Sequence, residues 1–178
     1  LIELWTRTPG ADRYALFQDD VIFVKGLRTY LNRDFPIKPP GYLNLYTTTH
    51  NEWTTDFEKG WHEGRVSNPH SPDSIRSQLG KGALGLVFDY QAMNALMTAG
   101  ASFMLQRTQD SDLIRGRGNI DGAVVTTMNR AGWREYVHNP SLCQHIGVEC
   151  SVMKPGRQLT PATTFPGENF DATSLLPR

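Results

Sequence analysis

The stretch Tyr14-Ala15-Leu16-Phe17-Gln18-Asp19-Asp20-Val21 sets an aromatic, apolar run directly before two adjacent carboxylates, after which apolar residues resume. Tyr14 to Phe17 has the composition and length of a buried strand. The two acids then fall at the rim of a sheet, where open α/β folds hold their ligands. Adjacent carboxylates repel one another, and a hard divalent cation bridging to a substrate phosphate offsets that repulsion. A second reading stands beside it: Asp19 and Asp20 cap a helix beginning near Val24, since acids are favoured at N-caps.

A chain of 178 residues is long enough for one domain with a real core and short for two. Its 39% apolar and 20% charged content is that of an ordinary globular protein. Eighteen basic and 18 acidic side chains give a net charge of zero, which argues against general attraction to nucleic acid or to a membrane. No apolar run approaches the roughly 20 residues that span a bilayer. Cys143 and Cys150 are too few for a disulfide framework and lack zinc spacing, so they read as reduced thiols of a cytoplasmic protein. Leu1 opens directly into Ile2-Glu3-Leu4-Trp5, the tail of an amphipathic helix, so the chain is expected to begin mid-structure.

Along the chain, elements alternate in a mixed α/β order. A helix end over Leu1–Arg7 and a turn over Thr8–Asp12 precede a strand over Tyr14–Gln18. A helix is expected over Val24–Leu31, a strand over Tyr42–Thr47, and a strand over Gly85–Phe88 leading into a helix over Tyr90–Thr98. Asn51–Leu79 is polar and long, which reads as a functional loop or lid. Arg107–Gly118 reads as a link. Asn119 caps a helix with Ile120, Val124 and Met128 on one face, and Trp133–His138 reads as a last strand. From Pro155 the tail has no periodicity and is expected to wrap the surface.

Several residues suit chemistry. Asp121 lies in the first turn of its helix, where the dipole favours a negative charge, and an ionised carboxylate aimed into a cleft serves as a general base. It equally serves as a helix-stabilising acid. Gly122 beside it would let a substrate approach. His145, in Pro140-Ser141-Leu142-Cys143-Gln144-His145-Ile146-Gly147, is either a satisfied structural histidine or a ligand, and imidazole suits Mn²⁺ better than Mg²⁺. Gly80-Lys81-Gly82-Ala83-Leu84-Gly85 has neither Walker nor Rossmann spacing. It reads as a tight strand entry or as backbone close to a sugar. Trp53, Trp61 and His62 offer either a stacking surface for sugar or base or a small core within the loop.

Three blocks in order, Phe17-Gln18-Asp19-Asp20-Val21, Gly80 to Phe88 and Pro140 to Gly147, with Asn119-Ile120-Asp121-Gly122 between the last two, resemble a GT-A-fold nucleotide-sugar glycosyltransferase. The likeness is to bacterial and phage proteins related to the fourth class of N-acetylglucosaminyltransferases, and it covers Tyr14 to about Ser151. It implies an α/β fold with a GT-A-like mixed sheet flanked by helices, lacking the N-terminal nucleotide-binding half. Residues 1–154 would then be the catalytic part and 155–178 an irregular tail.

By the same resemblance Asp20 and His145 would bind Mn²⁺ or Mg²⁺, and Asp19 would contact the ribose or support the metal shell. Gly82 and Ala83 would border the donor sugar, with Trp61 beside it, and Asp121 would be the base of an inverting reaction. The donor would be a nucleoside diphosphate sugar, UDP-sugar favoured, and the acceptor a hydroxyl on a carbohydrate or another compound. Two alternatives remain open. One is a glucosyltransferase for hydroxymethylated bases in DNA, using a basic strip of Arg115, Arg117, Lys154 and Arg157. The other is a degenerate, non-catalytic sugar- or nucleotide-binding module.

Overall fold

Strand β5 (Gly85–Asp89) explains the architecture, because its residues are apolar on both faces: Leu86, Val87 and Phe88 are all buried. A strand that reads as a continuous apolar run has to be covered on both sides. In the computed structural model, which describes residues 2–33, 37, 40–48, 59–64, 84–107, 120–146 and 161–176, it is. Successive side chains alternate in direction. Leu86 and Phe88 join Tyr14, Tyr42, Ala92, Met93, Leu96, Val124 and Met128 in one core cluster, while Val87 joins Leu43, Leu45, Leu142 and Cys143 in another. Each large apolar side chain buried in these clusters contributes about 1.5–3 kcal/mol.

The sheet has five strands in the order β1-β5-β3-β6-β4, with β1 at Arg13–Phe17, β3 at Gly41–Asn44, β4 at Gly60–Glu63 and β6 at Arg134–Asn139. It is mixed. β5 is antiparallel to both β1 and β3, β3 is parallel to β6, and β4 is antiparallel to β6. Hence β1, β3 and β6 all finish at the same end of the sheet, where β5 starts.

Helices α3 (Tyr90–Arg107) and α4 (Ile120–Arg130) cover one face. The other face carries helix α2 (Leu27–Leu31), a two-stranded sheet of β2 (Val21–Phe23) and β7 (Cys143–His145), and the segment 161–176. A short helix α1 (Ile2–Arg7) precedes β1, and Trp5 packs against Tyr14 with ring centroids 5.2 Å apart.

Several expectations are corrected. Val21–Phe23 is a strand, and the Val24 N–H continues its pairing by donating to the Leu142 carbonyl at 3.2 Å. Helix α2 begins only after Gly26, whose φ of 67° lies in the left-handed region. Asp19 and Asp20 therefore sit in a strand-to-strand turn and cap no helix at Val24. The run of β-branched and aromatic residues (Val21, Ile22, Phe23, Val24) suits a ladder better than a helix. The expected Asn51–Leu79 loop contains β4, an edge strand of the main sheet. Helix α3 runs to Arg107, well past Thr98.

The tail does more than wrap the surface: Ala162 and Ala172 are core residues, and Phe165, Phe170 and Leu175 pack against the same cluster. Among the described residues, no helix is long and apolar enough to cross a membrane.

Candidate functional site

β1 delivers the acidic turn to the sheet rim. Gln18 N–H donates to the Leu84 carbonyl at 3.1 Å, tying the start of the turn to the residue that leads into β5. The turn then reverses into β2, which pairs with β7 so that Val21 faces His145. Directly opposite residues of an antiparallel pair project from the same face. The ladder is extended by Ile146 N–H donating to the Asp20 carbonyl at 2.9 Å.

Asp20 lies one residue outside the ladder, opposite Ile146 and diagonal to His145, and the turn at its open end lets two side chains 125 residues apart in the chain meet. His145 Nε2 lies 3.1 Å from Asp20 Oδ2, the imidazole mostly covered and the carboxylate half exposed. The second carboxylate oxygen, Asp20 Oδ1, is shielded from solvent and has no hydrogen-bond partner among the described residues. Leaving a shielded carboxylate oxygen unsatisfied is costly, and such an atom is suited to receive a cation or a donor. Asp19, its neighbour, is exposed.

Asp121 lies in the first turn of α4, and its side chain lies outside what the structure describes. The helix direction follows from its end. Gly132, at φ 83°, and Trp133 donate to the carbonyls of Asn129 and Met128 at 3.0 and 2.8 Å, the pairing of a Schellman cap. Arg134 then opens β6 beside Pro40, donating to its carbonyl at 3.1 Å. α4 thus ends where β6 begins and packs back over the sheet through Val124 and Met128. At about 1.5 Å per residue, its first turn is carried toward the end where β1 and β6 finish, the end that bears the acidic turn.

Gly82 and Ala83 lie outside the described residues, as do Trp53, Cys150 and the basic residues Arg115, Arg117, Lys154 and Arg157. Trp61 stands on β4, the edge strand opposite β1. It is half-buried, and its ring meets His138 edge-on at 4.8 Å. It therefore belongs to the packing around His138, on the far edge from the strand that delivers Asp20.

His138 itself is fully buried. Nδ1 lies 2.6 Å from the Pro140 carbonyl, which only an N–H can satisfy, so Nε2 accepts from the Tyr30 hydroxyl at 2.8 Å. Burial pushes its pKa down to about 4, against the opposing pull of the Pro140 carbonyl and with help from nearby His62. Cys143 is buried and free, and burial pushes its thiol up to about 12. It stays protonated and is no nucleophile at neutral pH.

Sequence reasoning passed over Gln144, Ser141 and Thr164. The Gln144 amide oxygen accepts from the backbone N–H groups of both His145 and Ala162, at 3.0 and 3.1 Å. Ser141 N–H donates to Thr164 Oγ1 at 3.0 Å, and Ser141 Oγ accepts from Thr47 N–H at 3.0 Å. The signal was present as polar residues inside the Pro140–Gly147 block, but their partners lie elsewhere in the chain. No protein-family model, curated protein or solved structure matches this chain.

Proposed function

We propose that this chain is the catalytic part of an inverting, metal-dependent glycosyltransferase, moving a sugar from a nucleoside diphosphate donor, UDP-sugar favoured, to an acceptor hydroxyl. The observation that carries the reading is the 3.1 Å approach of His145 Nε2 to Asp20 Oδ2, between two residues singled out independently of their contact.

The pair suits a divalent ion. Two neighbouring ligands about 2.1 Å from one octahedral ion stand about 3 Å apart, and an imidazole nitrogen with a carboxylate oxygen favours Mn²⁺ over Mg²⁺. Among the described residues no group of three His, Cys, Asp or Glu gathers to hold a metal. Asp20 and His145 would be its protein ligands there, with phosphate oxygens and water completing the shell. Bound in this way, the ion would act as a Lewis acid that neutralises the departing diphosphate.

The remaining work falls to the chain. Asp20 and His145 would hold the ion at the sheet rim, and Asp19 would support that shell or contact the ribose. Asp121, in the first turn of α4 where the helix dipole favours a negative charge, takes the proton from the acceptor hydroxyl as the bond from the sugar's anomeric carbon to the leaving oxygen breaks. The acceptor oxygen attacks from the opposite face, so the anomeric centre inverts and no covalent enzyme intermediate forms.

The test is Mn²⁺-dependent hydrolysis of a panel of UDP- and GDP-sugars. Wild type should hydrolyse at least one of them, and Asp20→Ala and His145→Ala should not. Undiminished hydrolysis in both variants overturns the metal assignment. Asp121→Asn should lose transfer while donor binding remains measurable, and full transfer in that variant overturns the base assignment.

A further inference from the structure

We infer that Gln144 is a positioning residue, which locks the Asp20–His145 pair to the C-terminal segment 161–176 and makes that segment a working part of the site. The inference rests on the proposed function only for what the pair holds; the mechanical link stands on geometry alone.

Three contacts converge on one amide. Gln144 Oε1 accepts from Ala162 N–H at 3.1 Å, and Gln144 Nε2 faces the Ala162 carbonyl at 3.4 Å. The side chain therefore meets both polar groups of one backbone residue, as a neighbouring strand would. The same Oε1 accepts from His145 N–H at 3.0 Å. One oxygen thus fixes the backbone of the histidine that faces Asp20 and the backbone of the terminal segment together.

The segment is itself anchored to the other half of the pair. Lys25 N–H donates to the Phe170 carbonyl at 2.8 Å, and Ala172 N–H donates to the Lys25 carbonyl at 2.9 Å. Lys25 follows β2, the strand that Asp20 introduces. Ala162 and Ala172 are buried in the core beneath β2 and β7, so the segment grips the ladder at both strands and is held from below.

Without this grip the ladder is three residue pairs with one further backbone bond at each end, and a two-stranded ribbon of that size is marginal alone. Gln144 lies opposite Ile22, so it projects from the face away from Val21 and His145. It reaches the pair through backbone and need not touch the ligand itself.

The experiment uses the full chain and two readouts. The first is amide hydrogen exchange at Ile146, whose N–H donates to the Asp20 carbonyl, and which reports the ladder whether or not a metal binds. The second is Mn²⁺ affinity by electron paramagnetic resonance titration. Gln144→Met, which keeps the length and removes the amide's acceptor and donor together, should speed Ile146 exchange by about tenfold, the loss of three modest, partly exposed hydrogen bonds. It should weaken Mn²⁺ by a similar factor, while exchange at Leu45, whose N–H donates to the Gly85 carbonyl just past β3, stays at the wild-type rate.

Gln144→Glu keeps the acceptor for the two N–H groups but sets a second oxygen against the Ala162 carbonyl, so it should recover only part of the slow Ile146 exchange. If Gln144→Met does not fold, Gln144→Asn, too short to reach both backbones, carries the same test. Wild-type Ile146 exchange in the folded acceptor-free variant overturns the inference, as does equal acceleration at Leu45. If wild type itself binds no Mn²⁺, the proposed metal role falls while the exchange readout still decides the link.

Discussion

His138 and His145 stand seven residues apart, on two consecutive strands, in opposite surroundings. His138 ends up in a dry pocket with both ring nitrogens engaged, one by the Pro140 carbonyl and one by the Tyr30 hydroxyl, and with Trp61 against its face. His145 ends up at the rim with a carboxylate 3.1 Å from its Nε2. The first ring is spent on holding the sheet end to α2. The second is placed where a ligand can reach the carboxylate beside it. Burial with every polar atom satisfied marks a structural histidine, whereas a position beside a carboxylate with a shielded, unsatisfied oxygen fits the ligand role proposed for His145.

Exchanging the two roles by mutation tests the contrast most directly. His145→Ala should cut Mn²⁺-dependent donor hydrolysis by about a hundredfold or more and change the unfolding free energy by less than about 1 kcal/mol. His138→Ala should do the reverse. It strands the Tyr30 hydroxyl and the Pro140 carbonyl and leaves a cavity, at a cost of roughly 3 kcal/mol in urea unfolding, while the folded fraction keeps its Mn²⁺ affinity. Comparable stability losses in both variants would erase the distinction.

Acid provides the next test. The His138 pKa falls from 6.5 unfolded to about 4 folded, so the unfolded chain takes up its proton first as pH drops. The stability tied to the neutral ring is complete above about pH 6.5 and is lost progressively down to about pH 4, where the loss reaches about 3 kcal/mol. Urea midpoints measured across that window should fall in wild type and flatten in His138→Phe. A fall of equal size in both would assign the acid sensitivity elsewhere.

The smallest effect concerns the grip on the rim. Gly26 sits at φ 67°, and a Cβ there would run into Asp171 Oδ1 and crowd Thr173. Gly26→Ala should cost about 1–2 kcal/mol through backbone strain and that clash. It should also loosen the segment around Asp171, read as faster amide exchange at Ala172. An unchanged unfolding midpoint would mean that the segment accommodates the side chain.

Much of the sheet was legible in the residues, and for a plain reason. Tyr14–Phe17 and Gly85–Phe88 are short apolar runs bounded by turn residues, a pattern that needs no knowledge of distant partners. Val124 and Met128 showed a helical face by spacing, and both pack into the core. The strands that went unread share a cause. Val21–Phe23 is a strand only because β7 pairs with it, and Gly60–Glu63 is a strand only because β6 does. Both are too short and too plain to declare themselves. The tail looked like a surface wrapping because Ala162 and Ala172 are single small residues among prolines, with no period to mark them as core.

The candidate site divides in the same way. Residue type and order alone singled out Asp19, Asp20, Asp121 and His145, because carboxylates at a strand end, an acid in a first helical turn and a histidine before a glycine carry local meaning. That Asp20 and His145 meet, that Trp61 packs on His138 at the opposite edge of the sheet, and that Gln144 joins the rim to the C-terminal segment depend on partners far away in the chain. Spacing within a strand or helix is written in neighbouring residues. Pairing between strands is decided by the whole core that brings them together, and only the tertiary structure records it.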